Sequence, residues 1–250
     1  MRADHRIAVI IPALNEAASL GAMLPELPDW IDEVIVVDNG STDATAAVAR
    51  QCGARVVAEP VRGYGHACLA GARATEADIL LFLDGDGSDR PTLAARVVDP
   101  IAGGLADMVI GSRVLGNREP GALSPQQRWG NALACVLMRR LWGARHTDLG
   151  PFRAIRREAL LALDLQALTY GWTVEMQIRA HRMGLRVVEV PVDYRRRIAG
   201  RSKVSGTVRG VALAAWYILG TIAVEATRPA TLPPPPIPEP SAPGEREQPA

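Results

Sequence analysis

Four short strand-like runs punctuate the first 83 residues, at 7–11, 33–37, 55–58 and 79–83, and segments of helical composition at 16–24, 43–52 and 65–74 lie between them. The first and last runs are wholly apolar, the signature of strands buried on both faces of a parallel sheet rather than half-exposed in an antiparallel one. Regular alternation of strand and helix predicts an α/β fold, a doubly wound and mostly parallel sheet with flanking helices. With 250 residues and 48% hydrophobic composition the chain can bury one substantial core.

Beyond a further strand at 108–111 the pattern loosens. Residues 124–141 read as a long amphipathic helix, 143–152 as irregular, 174–183 as a helix and 186–191 as a strand. Residues 211–224 are apolar and uncharged, with Trp216 and Tyr217 near the middle. A bilayer-spanning helix needs about 20 such residues. This segment therefore reads either as a core helix or as an interfacial helix aided by Arg209. From residue 228 onward Pro233-Pro234-Pro235-Pro236 and a Pro/Glu/Ala-rich remainder predict a disordered tail. The expected division is thus a main domain over 1–210, an apolar helix over 211–227 and a tail over 228–250.

A formal charge of +1 conceals an asymmetry. Residues 1–112 carry 8 arginines against 16 acids, whereas 113–228 carry 19 basic residues against 8 acids. An acidic half suits a metal, and a basic half suits phosphates or anionic headgroups. Nucleic acid is not expected as a partner, because the basic half lacks both zinc-ligand spacing and an aromatic stacking pattern. Cys52, Cys68 and Cys135 have no metal or redox spacing, as expected of reduced thiols. No apolar secretion segment precedes the first strand, so the expected location is cytoplasmic.

The chemistry is concentrated at three strand ends. The first run stops in Pro12-Ala13-Leu14-Asn15-Glu16, the second in Asp38-Asn39-Gly40-Ser41-Thr42-Asp43 and the fourth in Asp84-Gly85-Asp86. In a parallel sheet those ends share one edge, where open α/β folds bind their ligands. Asp-x-Asp brings two carboxylates together, and one or two carboxylates plus substrate phosphates is the usual environment of Mg²⁺. An acidic turn followed by a helix start at Asp89-Arg90-Pro91 is the plainer alternative. Asn15, Ser41 and Asp43 are also good helix caps. Gly63 and Gly65 punctuate a loop before a helix whose N-terminus can face an anion. Lys203 is the one lysine beside 27 arginines.

These motifs, as an ordered set over about residues 7–210, resemble the family 2 inverting glycosyltransferases of GT-A fold. Gly111-Ser112-Arg113, Asp148-Leu149-Gly150-Pro151-Phe152-Arg153 and Arg197-Ile198-Ala199-Gly200-Arg201-Ser202-Lys203 are similar to the dolichyl- or polyprenyl-phosphate sugar synthase branch. The resemblance implies a nucleotide-diphosphate sugar donor bound by Pro12, Asn15, Glu16, Asp38, Gly65, Asp84 and Lys203. It also implies Mg²⁺ or Mn²⁺ on Asp86, with Asp84 beside it. Arg113, Arg128 and Arg197 match positions that hold an acceptor phosphate, and the implied acceptor is a polyprenyl phosphate at the cytoplasmic face of a membrane. Glu175 and Asp148 are the carboxylates available as a base, which a hydroxyl acceptor needs and an anionic phosphate need not have. Gly87-Ser88-Asp89 after the Asp-x-Asp departs from the mannosyl branch, so glucose and mannose both remain open. A sugar, diacylglycerol or soluble metabolite acceptor is a rival within the fold; a non-catalytic nucleotide- or lipid-binding module is the rival outside catalysis.

Overall fold

A computed structural model describes residues 2–200 and 208–229, the latter without the side chains of 208, 209 and 211. Seven strands run in the spatial order β3-β2-β1-β4-β6-β5-β7: β1 Ile7–Ala13, β2 Glu33–Asp38, β3 Arg55–Ala58, β4 Ile79–Phe82, β5 Met108–Ser112, β6 Arg153–Arg156 and β7 Val187–Pro191. The first four are mutually parallel, and β5 pairs in parallel with β7. Only β6 runs against its neighbours, joining β4 to β5. The sheet is therefore mostly parallel, as the alternation of the first half predicts.

Helices cover both faces because the strands are apolar on both. Ile7, Val9 and Ile11 of β1 point to one core, shared with α1 (Ala17–Met23), α2 (Thr45–Gln51) and α4 (Ala94–Ala102). Ala8 and Ile10 point to the other, shared with α3 (Tyr64–Arg73), α6 (Arg157–Ala162) and α7 (Trp172–Arg182). This two-residue alternation across a fully buried strand is the pleat expressed in packing.

The long helix expected over 124–141 is α5, Pro125–Trp142, closed by a capping box in which Ser124 accepts from the Gln127 amide and Gln127 accepts from the Ser124 amide. A second feature, β6, has no recognisable pattern in sequence: Arg-Ala-Ile-Arg carries only two apolar residues. Arg153 is nevertheless buried, donating to the carbonyls of Leu149, Gly150 and Thr173. Carbonyl partners rather than a strand-like side chain make this burial tolerable.

The apolar C-terminal segment forms α8, Val208–Thr227. Ala214, Ile222 and Glu225 are its buried positions, and it packs against α5 and α7. Glu225 receives Arg179 at 3.2 Å, Arg182 at 3.1 Å and Arg228 at 3.2 Å. Among the described residues no helix is long and apolar enough to cross a membrane. Most of the expected tail, 230–250, lies outside the described residues.

Helix α3 lies so close to the sheet that a Cβ at Gly71 would sit 2.5 Å from Ile10 Cγ2 and 3.0 Å from Val37 Cγ2. Both are stiff β-branched side chains. Gly71→Ala is expected to cost about 1–3 kcal/mol by overpacking, read as a lower urea midpoint; an unchanged midpoint would contradict this packing.

Candidate active site

Parallel pairing sets the carboxyl ends of β1, β2 and β4 on one edge, with Ala13 opposite Asp38. The first two turns are stitched together by Asn15. Its amide donates to Ser41 Oγ at 2.9 Å, and its Oδ1 accepts from the Thr42 amide at 2.7 Å. The residue takes φ +53°, a left-handed conformation that asparagine tolerates better than most. Asp38, half-buried at the end of β2, accepts the Ser41 amide at 2.9 Å. Half-buried Pro12 and buried Glu16 flank this edge, and the Glu16 amide donates to Thr45 Oγ1 at 2.9 Å.

The turn after β4 gathers three carboxylates. The Asp84 amide donates to Asp89 Oδ2 at 3.2 Å, and the Ser88 amide donates to Asp86 Oδ1 at 2.8 Å. Burial and the adjacent Asp86 charge push the Asp84 carboxyl up to about 7. Burial, reinforced by Asp84 and Asp86, holds Asp89 well above the ordinary carboxylate range. Such crowding stores repulsion that an arriving cation relieves.

One cation already leans on this turn. Arg197 reaches Asp86 Oδ2 at 3.0 Å through Nη2 and both Glu16 oxygens at 2.8 and 2.9 Å through Nη1. Its segment is laid on the acidic turn by backbone bonds, Arg195 N to Ser88 O at 3.0 Å and Ile198 N to Asp86 O at 3.1 Å. Gly87, at φ +73°, leaves room for the Ile198 side chain, which a Cβ would meet at 2.4 Å. The resemblance implies an acceptor-phosphate contact for Arg197; in the structure its guanidinium lies against Asp86 and Glu16.

Among the described residues no three His, Cys, Asp or Glu side chains form a metal cage. A cage is not what phosphate-linked Mg²⁺ or Mn²⁺ requires. Half-buried Asp86 holds a guanidinium as a stand-in cation, and Asp84 adds charge beside it. The two acids therefore fit a divalent ion completed by substrate phosphates.

A basic site adjoins the acidic one. Arg113 follows β5 and is clamped by Asp148, which accepts the Arg113 amide at 2.7 Å, Nε at 2.8 Å and Nη2 at 2.7 Å. The guanidinium also lies over the Tyr194 ring, 5.1 Å from its centroid. Burial opposes the Arg113 charge, but Asp148 overrides it and the group stays cationic. Burial likewise opposes ionisation of Asp148, and Arg113 holds its carboxyl below the usual range. Next to this clamp, Val114, Arg118, Leu123, Arg128, Trp129 and Thr147 line a cavity of about 410 Å³. Arg128 lines this cavity together with Val114 and Thr147, the neighbours in sequence of Arg113 and Asp148.

Two of the expected residues stand apart. Glu175 is 2% exposed, accepts the amides of Gln166 at 2.8 Å and Ala167 at 2.6 Å, and pairs with Arg179 at 2.7 Å. Its carboxylate fastens a loop and lies in the ion network that reaches Glu225, rather than beside the three aspartates or in solvent. Gly65 has a packing reason: a Cβ there would meet Leu168 Cα at 2.7 Å. Lys203 lies outside the described residues. Asp89, read from sequence as a helix start, is a buried member of the acidic cluster. Its spacing in Asp84-Gly85-Asp86-Gly87-Ser88-Asp89 was the available signal.

Residues 8–163 match the sequence family described as glycosyl transferase family 2. The chain belongs to this family. It is 40% identical over 222 residues to an uncharacterised glycosyltransferase of Mycobacterium tuberculosis, covering 85% of this chain and 95% of that protein. It is 35% identical over 230 residues to an undecaprenyl-phosphate mannosyltransferase of Micrococcus luteus, covering 83% and 91%. Among solved structures, glucosyl-3-phosphoglycerate synthase of M. tuberculosis with Mn²⁺, UDP-glucose and phosphoglyceric acid matches with TM-score 0.74 and 27% identity, over 91% of this chain and 81% of that one. This glycosyltransferase therefore has the mixed α/β fold of its family, and its similarity runs to the polyprenyl-phosphate sugar synthase branch.

The environment of Glu175 makes a specific prediction. Glu175→Gln leaves Arg179 short of a buried partner and is expected to lower stability by about 3–5 kcal/mol, with transfer per folded molecule within a few-fold of the parent. Unchanged stability with a hundredfold slower transfer would instead mark Glu175 as a base.

Proposed function

We propose that the chain is a metal-dependent inverting hexosyltransferase that moves glucose or mannose from a nucleotide-diphosphate sugar to a polyprenyl phosphate. One observation carries the reading: both carboxylates available as a base are locked in arginine pairs, whereas Arg113, Arg118 and Arg128 line or adjoin a partly apolar cavity. That arrangement suits an acceptor that brings its own negative charge and needs no proton removed.

On this reading Asp38 accepts from the nucleoside, and Asn15 holds the two turns around it. Asp86, with Asp84, would hold Mg²⁺ or Mn²⁺ together with the donor diphosphate, and the ion's contribution when bound is Lewis-acid stabilisation of the leaving diphosphate. Arg113 and Arg128 bind the acceptor phosphate by charge-assisted hydrogen bonds. A phosphate oxygen forms the new bond to the anomeric carbon, the bond from that carbon to the diphosphate oxygen breaks with its electron pair, and attack from the opposite side inverts the configuration. Lys203 belongs to this proposal as a donor-phosphate contact. Support for a nucleotide sugar and Mn²⁺ comes from the solved relative that holds UDP-glucose with Mn²⁺.

The lipid reading rests on surface as well as cavity. Trp129 of α5 and Leu213, Trp216, Leu219 and Val224 of α8 are exposed, on adjacent helices that also carry Arg128, Arg139 and Arg140. Aromatic and aliphatic side chains flanked by arginine suit an anionic bilayer interface, the apolar groups entering and the cations staying at headgroup level. A soluble phosphorylated acceptor is the second reading, because the solved relative holds phosphoglyceric acid.

The test incubates the full chain and Mn²⁺ with a panel of labelled nucleotide sugars and vesicles containing polyprenyl phosphate. Label is expected to extract into organic solvent, and Asp86→Asn to lower the rate by roughly 10²–10³-fold. Trp216→Ser is expected to reduce transfer to vesicle-held acceptor more than to a short-chain, detergent-soluble one. Label confined to the aqueous phase, on a phosphorylated metabolite, would favour the second reading.

A further inference from the structure

Arg113 uses its backbone amide, Nε and Nη2 on a single carboxylate. Such a fork fixes the plane of the guanidinium and leaves both Nη1 hydrogens and one on Nη2 without an acceptor among the described residues. The side chain keeps 12% exposure, whereas that of Asp148 keeps 1%. Arg113 is therefore fixed by Asp148 while part of its guanidinium has no acceptor among the described residues.

The clamp is itself braced from three elements. Glu189 of β7 accepts the Thr147 amide at 2.8 Å and the Asp148 amide at 3.1 Å. Gln177 of α7 donates to the Asp148 carbonyl at 2.8 Å. Asn131 of α5 donates to the Thr147 carbonyl at 3.0 Å and accepts the Leu149 amide at 2.8 Å. Ser112 Oγ and Thr147 Oγ1 are 2.7 Å apart, tying the residue before Arg113 to the residue before Asp148. Strand, helix and loop together fix where the Asp148 carboxylate stands.

We propose that Asp148 is a positioning residue that presets Arg113 to receive the phosphate of the acceptor. The inference rests on the phosphate-acceptor reading above and adds a division of labour within it: Arg113 touches the phosphate, and Asp148 acts only through Arg113. A long arginine side chain loses rotamer freedom when it binds, and holding it in advance removes that cost from the binding step. Asp148 is buried and the amide, Nε and Nη2 of Arg113 all donate to its carboxylate, so it acts on the acceptor only through that arginine.

Steady-state transfer to polyprenyl phosphate reads the role through a split between constants. Asp148→Asn keeps the shape and loses the charge; it is expected to raise KM for polyprenyl phosphate roughly tenfold and to leave KM for the nucleotide sugar within about twofold. Combined with Arg113→Gln it is expected to add little, since the two substitutions remove one function. Additive effects, or an equal rise in both KM values, overturn the proposal. If Asp148→Asn fails to fold, Glu189→Gln loosens the loop while sparing the carboxylate, and it is expected to raise the acceptor KM alone by about threefold; no rise, or a rise in donor KM, overturns the proposal. Calorimetric titration with inorganic phosphate separates this inference from the function it rests on. Phosphate binding weakened by both Arg113→Gln and Asp148→Asn, in a protein that forms no lipid product, supports the clamp and refutes the lipid acceptor. No phosphate binding and no lipid transfer in the parent protein overturns both.

Discussion

Asp84, Asp86 and Asp89 are held in one turn at the end of β4, and their mutual repulsion is the constraint around which the surrounding structure is arranged. Burial and this repulsion push the Asp84 carboxyl up to about 7 and hold that of Asp89 well above the ordinary carboxylate range. Part of the repulsion is met by Arg197, whose guanidinium bridges Asp86 and Glu16. The left-handed turn at Asn15 ties the β1 and β2 turns together, and the open face of Gly87 admits Ile198 of the 195–198 segment. On the proposed reading, such a cluster would receive a divalent charge that arrives with the substrate.

Charge pairing also separates the two halves of the site. At the acidic turn the carboxylates exceed their partners; at the basic site Arg113 is matched one-to-one with Asp148, leaving Arg118 and Arg128 to give the cavity its positive sign. The asymmetry in the linear sequence thus becomes spatial, acids at the ends of β1, β2 and β4, arginines after β5 and on α5. Farther out, Glu225 joins α8 to α7 through Arg179 and Arg182, and Glu175 continues the chain of ion pairs to the 166–167 amides. Buried pairs of this kind contribute fixed geometry more than stability. Here they set α8, with its exposed Trp216, against the body of the enzyme.

Much of this was legible in the sequence because it was local. Short apolar runs located β1, β2 and β4, and the parallel order followed from the helices between them. The shared edge for Asp38, Asp84 and Asp86 followed from that order. What was not legible depended on tertiary contacts that no local pattern encodes. Strand β6 hides in Arg-Ala-Ile-Arg because Arg153 is satisfied by carbonyls from 149, 150 and 173. Nothing local to Arg197 signals Glu16, 181 positions away, which its guanidinium engages. Glu175 carries no local sign of Gln166 and Ala167 turning their amides onto it.

The central claim is that an acceptor already bearing negative charge attacks the anomeric carbon without a protein base. The most direct measurement compares polyprenyl phosphate with the parent alcohol of the same chain length, each offered with the productive nucleotide sugar and Mn²⁺, and identifies products by mass. The account predicts glycosylated polyprenyl phosphate and no detectable product from the alcohol. Transfer to the alcohol at a comparable rate would contradict it.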